Sequence, residues 1–250
     1  MGNKDPFELP SGLTDYVKEL ASTGTKIILI LAEGRPRLLN GVADVASAIV
    51  YAGLPCEMGG EAISEVLFGK ENFSGKMALT YPKTDDDLNM ATPYYGRRGD
   101  MCVVDGVESS CPVEWQFGEG LSYTTFDYSN MQLSTTSLTP DADQVTVTVT
   151  VTNSGAMKGK EAVLLFVSAP GLLPETKLLK KYTKIELDVG QSTDINFTLS
   201  SDDFGAYVNE IGDGLRKEAS SGTYFIGLKF DTICGPDSIG DLCQSFEWSN

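Results

Sequence analysis

Apolar residues recur with one period early in the chain and with another in its second half. Leu13, Tyr16, Val17 and Leu20 fall at i, i+3, i+4 and i+7, the spacing of one helix face. Ser11 stands where it can cap that helix, and Gly24 closes it. The run Lys26-Ile27-Ile28-Leu29-Ile30-Leu31-Ala32 is apolar on both faces and predicts a strand of a parallel sheet covered by helices on both sides, broken at Glu33-Gly34-Arg35-Pro36. Ala48-Ile49-Val50-Tyr51-Ala52 predicts a second strand, turned by Gly53-Leu54-Pro55. A helix follows over 60–68, with Ala62, Ile63, Val66 and Leu67 inward and Gly69 at its end. Residues 76–81 predict a third strand, closed by Pro82. Alternating helices and continuous apolar strands describe an α/β sandwich with a mostly parallel sheet.

Residues 83–120 carry no regular period and are rich in acidic residues, Gly and Pro. A loop of that length is functional or packed against a neighbour. From about residue 131 the period becomes two: Val145, Val147, Val149 and Val151 alternate with Thr146, Thr148, Thr150 and Thr152, and Asn153-Ser154-Gly155 turns the chain. Further strands are expected at 163–167, 178–187, 194–199 and 223–230. Short strands separated by turn signals predict a β-sandwich of immunoglobulin-like size. The expected division is therefore an α/β domain over 1–130 and an all-β domain over 131–250.

Charge narrows the function. Nineteen Lys+Arg stand against 35 Asp+Glu, a formal net charge of −16, which repels nucleic-acid phosphates and anionic lipid headgroups. Neither nucleic acid nor membrane is an expected partner, whereas a neutral sugar meets no such repulsion. The chain has no histidine, which removes His-based nucleophilic triads and His-ligated zinc, and no metal site is expected. No apolar run approaches the ~20 residues of a membrane span. No signal peptide is expected at the start, where Met1 meets Gly2-Asn3-Lys4-Asp5.

Five cysteines point to compartment. Cys102 and Cys111 enclose eight residues, as do Cys234 and Cys243, and each pair lies in a loop-like stretch. Two local disulfides are the natural reading in an oxidising compartment, with four independent surface thiols as the alternative. Cys56 remains as a free thiol. Two sequons, Asn72-Phe73-Ser74 and Asn196-Phe197-Thr198, are expected to be exposed and open to glycosylation. Together these features favour a secreted, extracellular protein.

Three segments carry a resemblance. Glu33-Gly34-Arg35-Pro36 follows an apolar strand. Residues 53–76 read GLPCEMGGEAISEVLFGKENFSGK, and residues 117–126 read FGEGLSYTTF. In that order and spacing they resemble the "SGRP" turn, the "PGxEGGEAIADVLFGxxNPSGKL" segment and the "FGxGLSYTxF" segment of family 3 glycoside hydrolases. The VTVTVTVTNSG and GKEAVLLFVSAP stretches behind them are similar to the fibronectin type III-like domain that closes many of these enzymes. The resemblance implies a β-glucosidase-type exo-hydrolase acting on a β-glucoside or β-glucan by retaining double displacement, with no cofactor. Its nucleophile is an Asp on an N-terminal (β/α)8 barrel, a fold of about 250 residues. Its general acid/base is a Glu just upstream of the segment matching residues 1–12. Both fall outside this chain, so no residue here is expected to be catalytic, and the chain alone is expected to be inactive. The alternative is a free-standing module that binds carbohydrate or protein. Glu33 and Cys56 depart from the family, which has small residues at both places. Glu33 is expected to pair with Arg35.

Candidates in the chain itself are few. Glu57, Glu61 and Glu65 lie at helical spacing and read as solvated carboxylates. Asp85-Asp86-Asp87 reads as a solvated acidic loop, since three consecutive side chains do not converge on a cation. Trp115, Tyr94 and Tyr95 suit stacking on a sugar ring, though packing against the absent barrel is the commoner use. Glu119, between two glycines, is with Trp115 the best candidate for a residue near substrate or barrel.

Overall fold

The computed structural model describes residues 7–84, 113–173, 177–207, 214 and 216–250. Cys102, Cys111, Tyr94, Tyr95 and Asp85 to Asp87 lie outside them.

The first unit begins with α1 (Ser11–Ser22). Ser11 does not cap it. Pro10 holds that position, and its carbonyl accepts the Leu13 and Thr14 amides. Strands β1 (Ile28–Ala32) and β2 (Ala48–Gly53) pair in parallel, with Ile28 opposite Ala48 and Leu31 opposite Tyr51. A short α2 (Val42–Val45) joins them, and α3 (Gly59–Leu67) follows β2. Of the glycine pair that opens α3, Gly59 is the constrained member. A Cβ there would collide with the Pro55 ring, whereas one on Gly60 meets nothing.

The small core of this unit joins Val17, Leu31, Leu39, Val42 and Tyr81, backed by Leu29, Ile49, Tyr51, Met77 and Trp115. The expected cover on both sheet faces is not there among the described residues: Ile28 and Ile30 are 55% and 40% exposed. On α1, Val17 is buried but Leu13 and Tyr16 stand in solvent.

The strand expected over 76–81 shrinks to β3 (Tyr81–Pro82), which pairs antiparallel with β4 (Val113–Trp115). The reason is local. Met77 uses its amide on the Glu119 carbonyl and its carbonyl on the Gly118 amide, and the chain bends at residues 78–79 before it can pair as a strand. Among the described residues, parallel pairing in this unit is thus the β1–β2 pair and an isolated Glu8–Leu38 bridge.

The second unit is a two-sheet β-sandwich. Its strands are β5 (Phe126–Leu133), β6 (Ser137–Leu138), β7 (Val145–Asn153), β8 (Gly159–Ser168), β9 (Leu178–Leu187), β10 (Ser192–Leu199), β11 (Ala206–Tyr207), β12 (Lys217–Glu218), β13 (Gly222–Leu228) and β14 (Cys243–Trp248). Sheet order is β10-β7-β5 facing β6-β14-β13-β8-β9, with β11 and β12 as a separate pair. The period-two reading of β7 holds residue by residue: its four valines are 0% exposed and its threonines face outward. Full burial of such a side chain contributes about 1.5–3 kcal/mol.

The sandwich starts earlier than residue 131. Phe126 already pairs with Asn153, so a boundary at 130/131 would cut β5. A short α4 (Ser201–Phe204) carries a capping box in which Ser200 and Asp203 satisfy each other's amides. Cys234 and Cys243 form a disulfide with Cα atoms 5.3 Å apart, and Cys56 is free and exposed.

Candidate functional site

Two clusters bring the motif segments together. The first sits where β1 and β2 end, the edge of a parallel sheet at which ligands bind. Tyr81 is fully buried between Tyr51 and Trp115, with ring centroids 6.1 Å and 4.8 Å away, both edge-on. The Tyr81 hydroxyl lies 2.8 Å from Glu33 Oε1 and 3.0 Å from the Arg37 carbonyl, and accepts the Arg37 amide at 3.2 Å. Glu33 therefore accepts a hydrogen bond from Tyr81 rather than pairing with Arg35, whose guanidinium lies 5.0 Å over the Phe7 ring.

Burial raises the Glu33 carboxyl above the usual range, against the opposing Tyr81 hydrogen bond and Arg37 charge. Burial also pushes the Tyr81 phenol well up, helped by the neighbouring Glu33. At neutral pH Tyr81 is thus a fixed donor, and Trp115 is a half-buried ring held against it.

Close by, Cys56 adopts φ +55°. Only a small or glycine-like residue takes that region without strain, at a cost of about 1 kcal/mol or more for others. The strain accounts for the family's small residue at this turn; nothing in the structure explains the cysteine.

The second cluster joins the two units. Glu119 folds back on its own turn: its carboxylate accepts the Gln116 amide at 2.8 Å, and its amide donates to the Gln116 carbonyl at 3.1 Å. Gly118 sits against the sandwich at φ +88°, where a Cβ would lie 2.7 Å from Phe230 Cβ and 3.0 Å from Leu164. Gly120 sits against the other unit, where a Cβ would lie 2.8 Å from the Gly75 carbonyl. The glycines of this motif are therefore spacers of a joint.

An ion pair between the half-buried Lys76 and the buried Glu161 crosses that joint. Lys76 Nζ lies 3.3 Å from Glu161 Oε2 and donates to the Gly120 carbonyl at 3.0 Å, while Tyr128 donates to Glu161 Oε1 at 3.0 Å. Burial and the adjacent Glu161 carboxylate raise the Tyr128 phenol, so it too stays a donor.

Asn72 clasps the same joint and is half-buried rather than exposed. Its Nδ2 donates to the Lys158 carbonyl at 3.3 Å, and its Oδ1 accepts from the Ser122 hydroxyl at 3.0 Å and the Tyr123 amide at 2.9 Å.

Sequence reasoning missed Glu161 and Tyr128. One signal was available: Glu161 lies in phase with Val163, Leu165 and Val167, all buried, so a charge falls on an inward position. Glu57 and Glu61 are exposed, and Glu65 pairs with Lys70. Asn196 is exposed on β10.

Comparison with known proteins bears on both clusters. Residues 2–123 match the glycosyl hydrolase family 3 C-terminal domain. Over 202 residues the chain is 37% identical to a lysosomal beta glucosidase of Dictyostelium discoideum, covering 75% of this chain and 23% of that protein. Over 234 residues it is 29% identical to a beta-xylosidase of Formosa agariphila, covering 91% and 31%. In structure it is similar to a β-glucosidase from Erythrobacter marinus, with a TM-score of 0.78, 28% identity, and coverage of 100% of this chain and 31% of that one. The chain spans about a quarter to a third of the length of the curated relatives it matches.

Proposed function

This chain belongs to the family 3 glycosyl hydrolases, as the C-terminal part of such an enzyme, and on that premise we propose that it serves a secreted β-glucosidase-type exo-hydrolase without supplying the catalytic carboxylates. Retaining hydrolysis needs a nucleophilic carboxylate and an acid/base carboxyl about 5–5.5 Å apart across one bond. The carrying observation is that Glu33 is hydrogen-bonded to Tyr81, Glu119 to Gln116 and Glu161 to Lys76 and Tyr128, while Glu114, half-buried on β4, has the Lys83 charge nearby. Glu57 and Glu61 stand in solvent.

The chain's contribution is a wall and a brace. The ends of β1 and β2, with Trp115 held by Tyr81, face the substrate. The joint holds the sandwich, which we assign as fibronectin type III-like from its sheets of three and five strands. The substrate is a β-glucoside or β-glucan, as the names of several relatives suggest. The Cys234–Cys243 disulfide supports an oxidising compartment.

The open apolar surface disfavours a free-standing binding module. Leu13, Tyr16, Ile28, Ile30, Leu54 and Phe68 need a cover.

The test is turnover of an aryl β-glucoside. The isolated chain should show none, and joining it to the N-terminal portion of the same protein should restore it. Turnover by the isolated chain that disappears on replacing Glu119 or Glu57 would overturn this reading.

A further inference from the structure

The two sequons of this chain sit in opposite surroundings. Asn72 is part of the joint. Its Nδ2, the atom a glycan would occupy, donates to the Lys158 carbonyl and lies so close to Gly159 that a Cβ there would come within 2.8 Å of it. A sugar on that nitrogen has no room unless the joint opens.

Asn196 is the reverse case. It lies mid-strand on β10, exposed, with Ile195 and Phe197 turned inward and Thr198 of the sequon exposed on the same outer face. Thr148 Oγ1 donates to Asn196 Oδ1 at 2.7 Å, which orients the amide, and among the described residues Nδ2 has no partner. Its surroundings are a polar ladder: Thr146 with Thr198, Thr150 with Asp194, and Thr152 with Ser192 bridge β7 and β10.

Among the described residues β10 is also an outer strand of its sheet, paired with β7 alone. Its other side offers unpaired backbone groups to any incoming strand, which makes it a site of edge-to-edge association. Ser192, Asp194, Asn196 and Thr198 line its outer face, and Asp194 is the charge among them.

We propose that Asn196, and not Asn72, carries an N-linked glycan in the folded protein, and that this glycan shields the free edge of β10. The inference rests on the secreted location proposed above. In the transfer, the Asn196 amide nitrogen forms a bond to C1 of a polyprenyl-diphosphate-linked oligosaccharide. The bond from C1 to the diphosphate oxygen breaks, the diphosphate leaves, and the amide proton passes to a base of the transferase. Chains modified at Asn72 before folding cannot close the joint and are not exported.

The test is to express the full-length protein behind a secretory leader in an insect host, which supplies the transferase whatever the native compartment. Failure here therefore bears on the site, while fractionation of the native cells bears separately on location. Secreted protein is treated with peptide:N-glycosidase in heavy-oxygen water and mapped by mass spectrometry. Asn196 should be converted to labelled Asp in most molecules and Asn72 should not. T198A keeps Asn196 but destroys the sequon. It should lose the glycan, keep its melting temperature and self-associate more in light scattering, as should wild-type protein stripped of glycan after folding. An unoccupied Asn196, or an occupied Asn72 in secreted protein, overturns the assignment. An occupied Asn196 whose removal leaves association unchanged overturns the shielding role.

Discussion

The two units of this chain use apolar residues in opposite ways. In the sandwich, β7 alternates valine with threonine, each valine is fully covered, and 21 buried residues form one continuous core among the described residues. In the α/β unit, β1 is apolar at every position, yet among the described residues the buried core cluster there is five residues, and Ile28, Ile30, Leu13 and Tyr16 face outward. Alternation spends hydrophobic surface on one face and leaves the other soluble. Continuous apolarity needs cover on both faces. The sandwich therefore carries its own stability, whereas the α/β unit shows surface suited to a further packing partner. Between them lies a joint that combines polar groups with the packing of Phe117 and Gly118 on the sandwich, so the closed unit can brace the open one.

The largest expected effect breaks that brace. E161A leaves the half-buried Lys76 with the Gly120 carbonyl as its acceptor and Tyr128 without its acceptor, and should cost about 3 kcal/mol. Thermal unfolding should separate into two transitions as the units uncouple, and K76M/E161L should recover most of the loss. Persistence of one transition in E161A would mean that the joint does not couple them. Next, C234S/C243S opens a short loop within the sandwich and should lower stability by about 2–3 kcal/mol in denaturant titrations, without affecting the α/β unit.

A matched pair sharpens the contrast between the sheets. V149A removes two buried methyl groups and should cost about 2 kcal/mol. I30S, on the more open face, should cost about 1 kcal/mol, clearly less than V149A, while reducing self-association of the isolated chain. Equal costs would show that β1 is covered after all.

The smallest effect concerns pH. Burial raises the Glu33 carboxyl in the folded state, so the native form binds more protons than the unfolded one across that window. Its contribution to stability therefore falls as pH rises from the ordinary carboxylate range through the raised value. E33Q, which still accepts from Tyr81, should melt slightly higher than wild type at neutral pH, and the difference should vanish below about pH 4.

The sequence by itself determined a good deal. Local spacing placed α1, β1, β2, α3, β7 and β9, because helix and strand periods are properties of neighbouring residues. The motif segments named the family, and Cys234 and Cys243 announced their bond by spacing and loop composition.

The tertiary structure decided what distant residues do to each other. Asn72 meets a carbonyl 86 positions away, and that contact turns a sequon into a clasp. Glu119 reads as a ligand residue between glycines, but Gly118 and Gly120 are small because Phe230, Leu164 and Gly75 press on them, and the carboxylate closes its own turn. The 76–81 strand failed because Met77 found its hydrogen bonds in a loop that sequence pattern could not bring near. Whether an apolar face is buried is decided the same way. Periodicity states which residues share a face, and only packing against another part of the molecule states whether that face is covered.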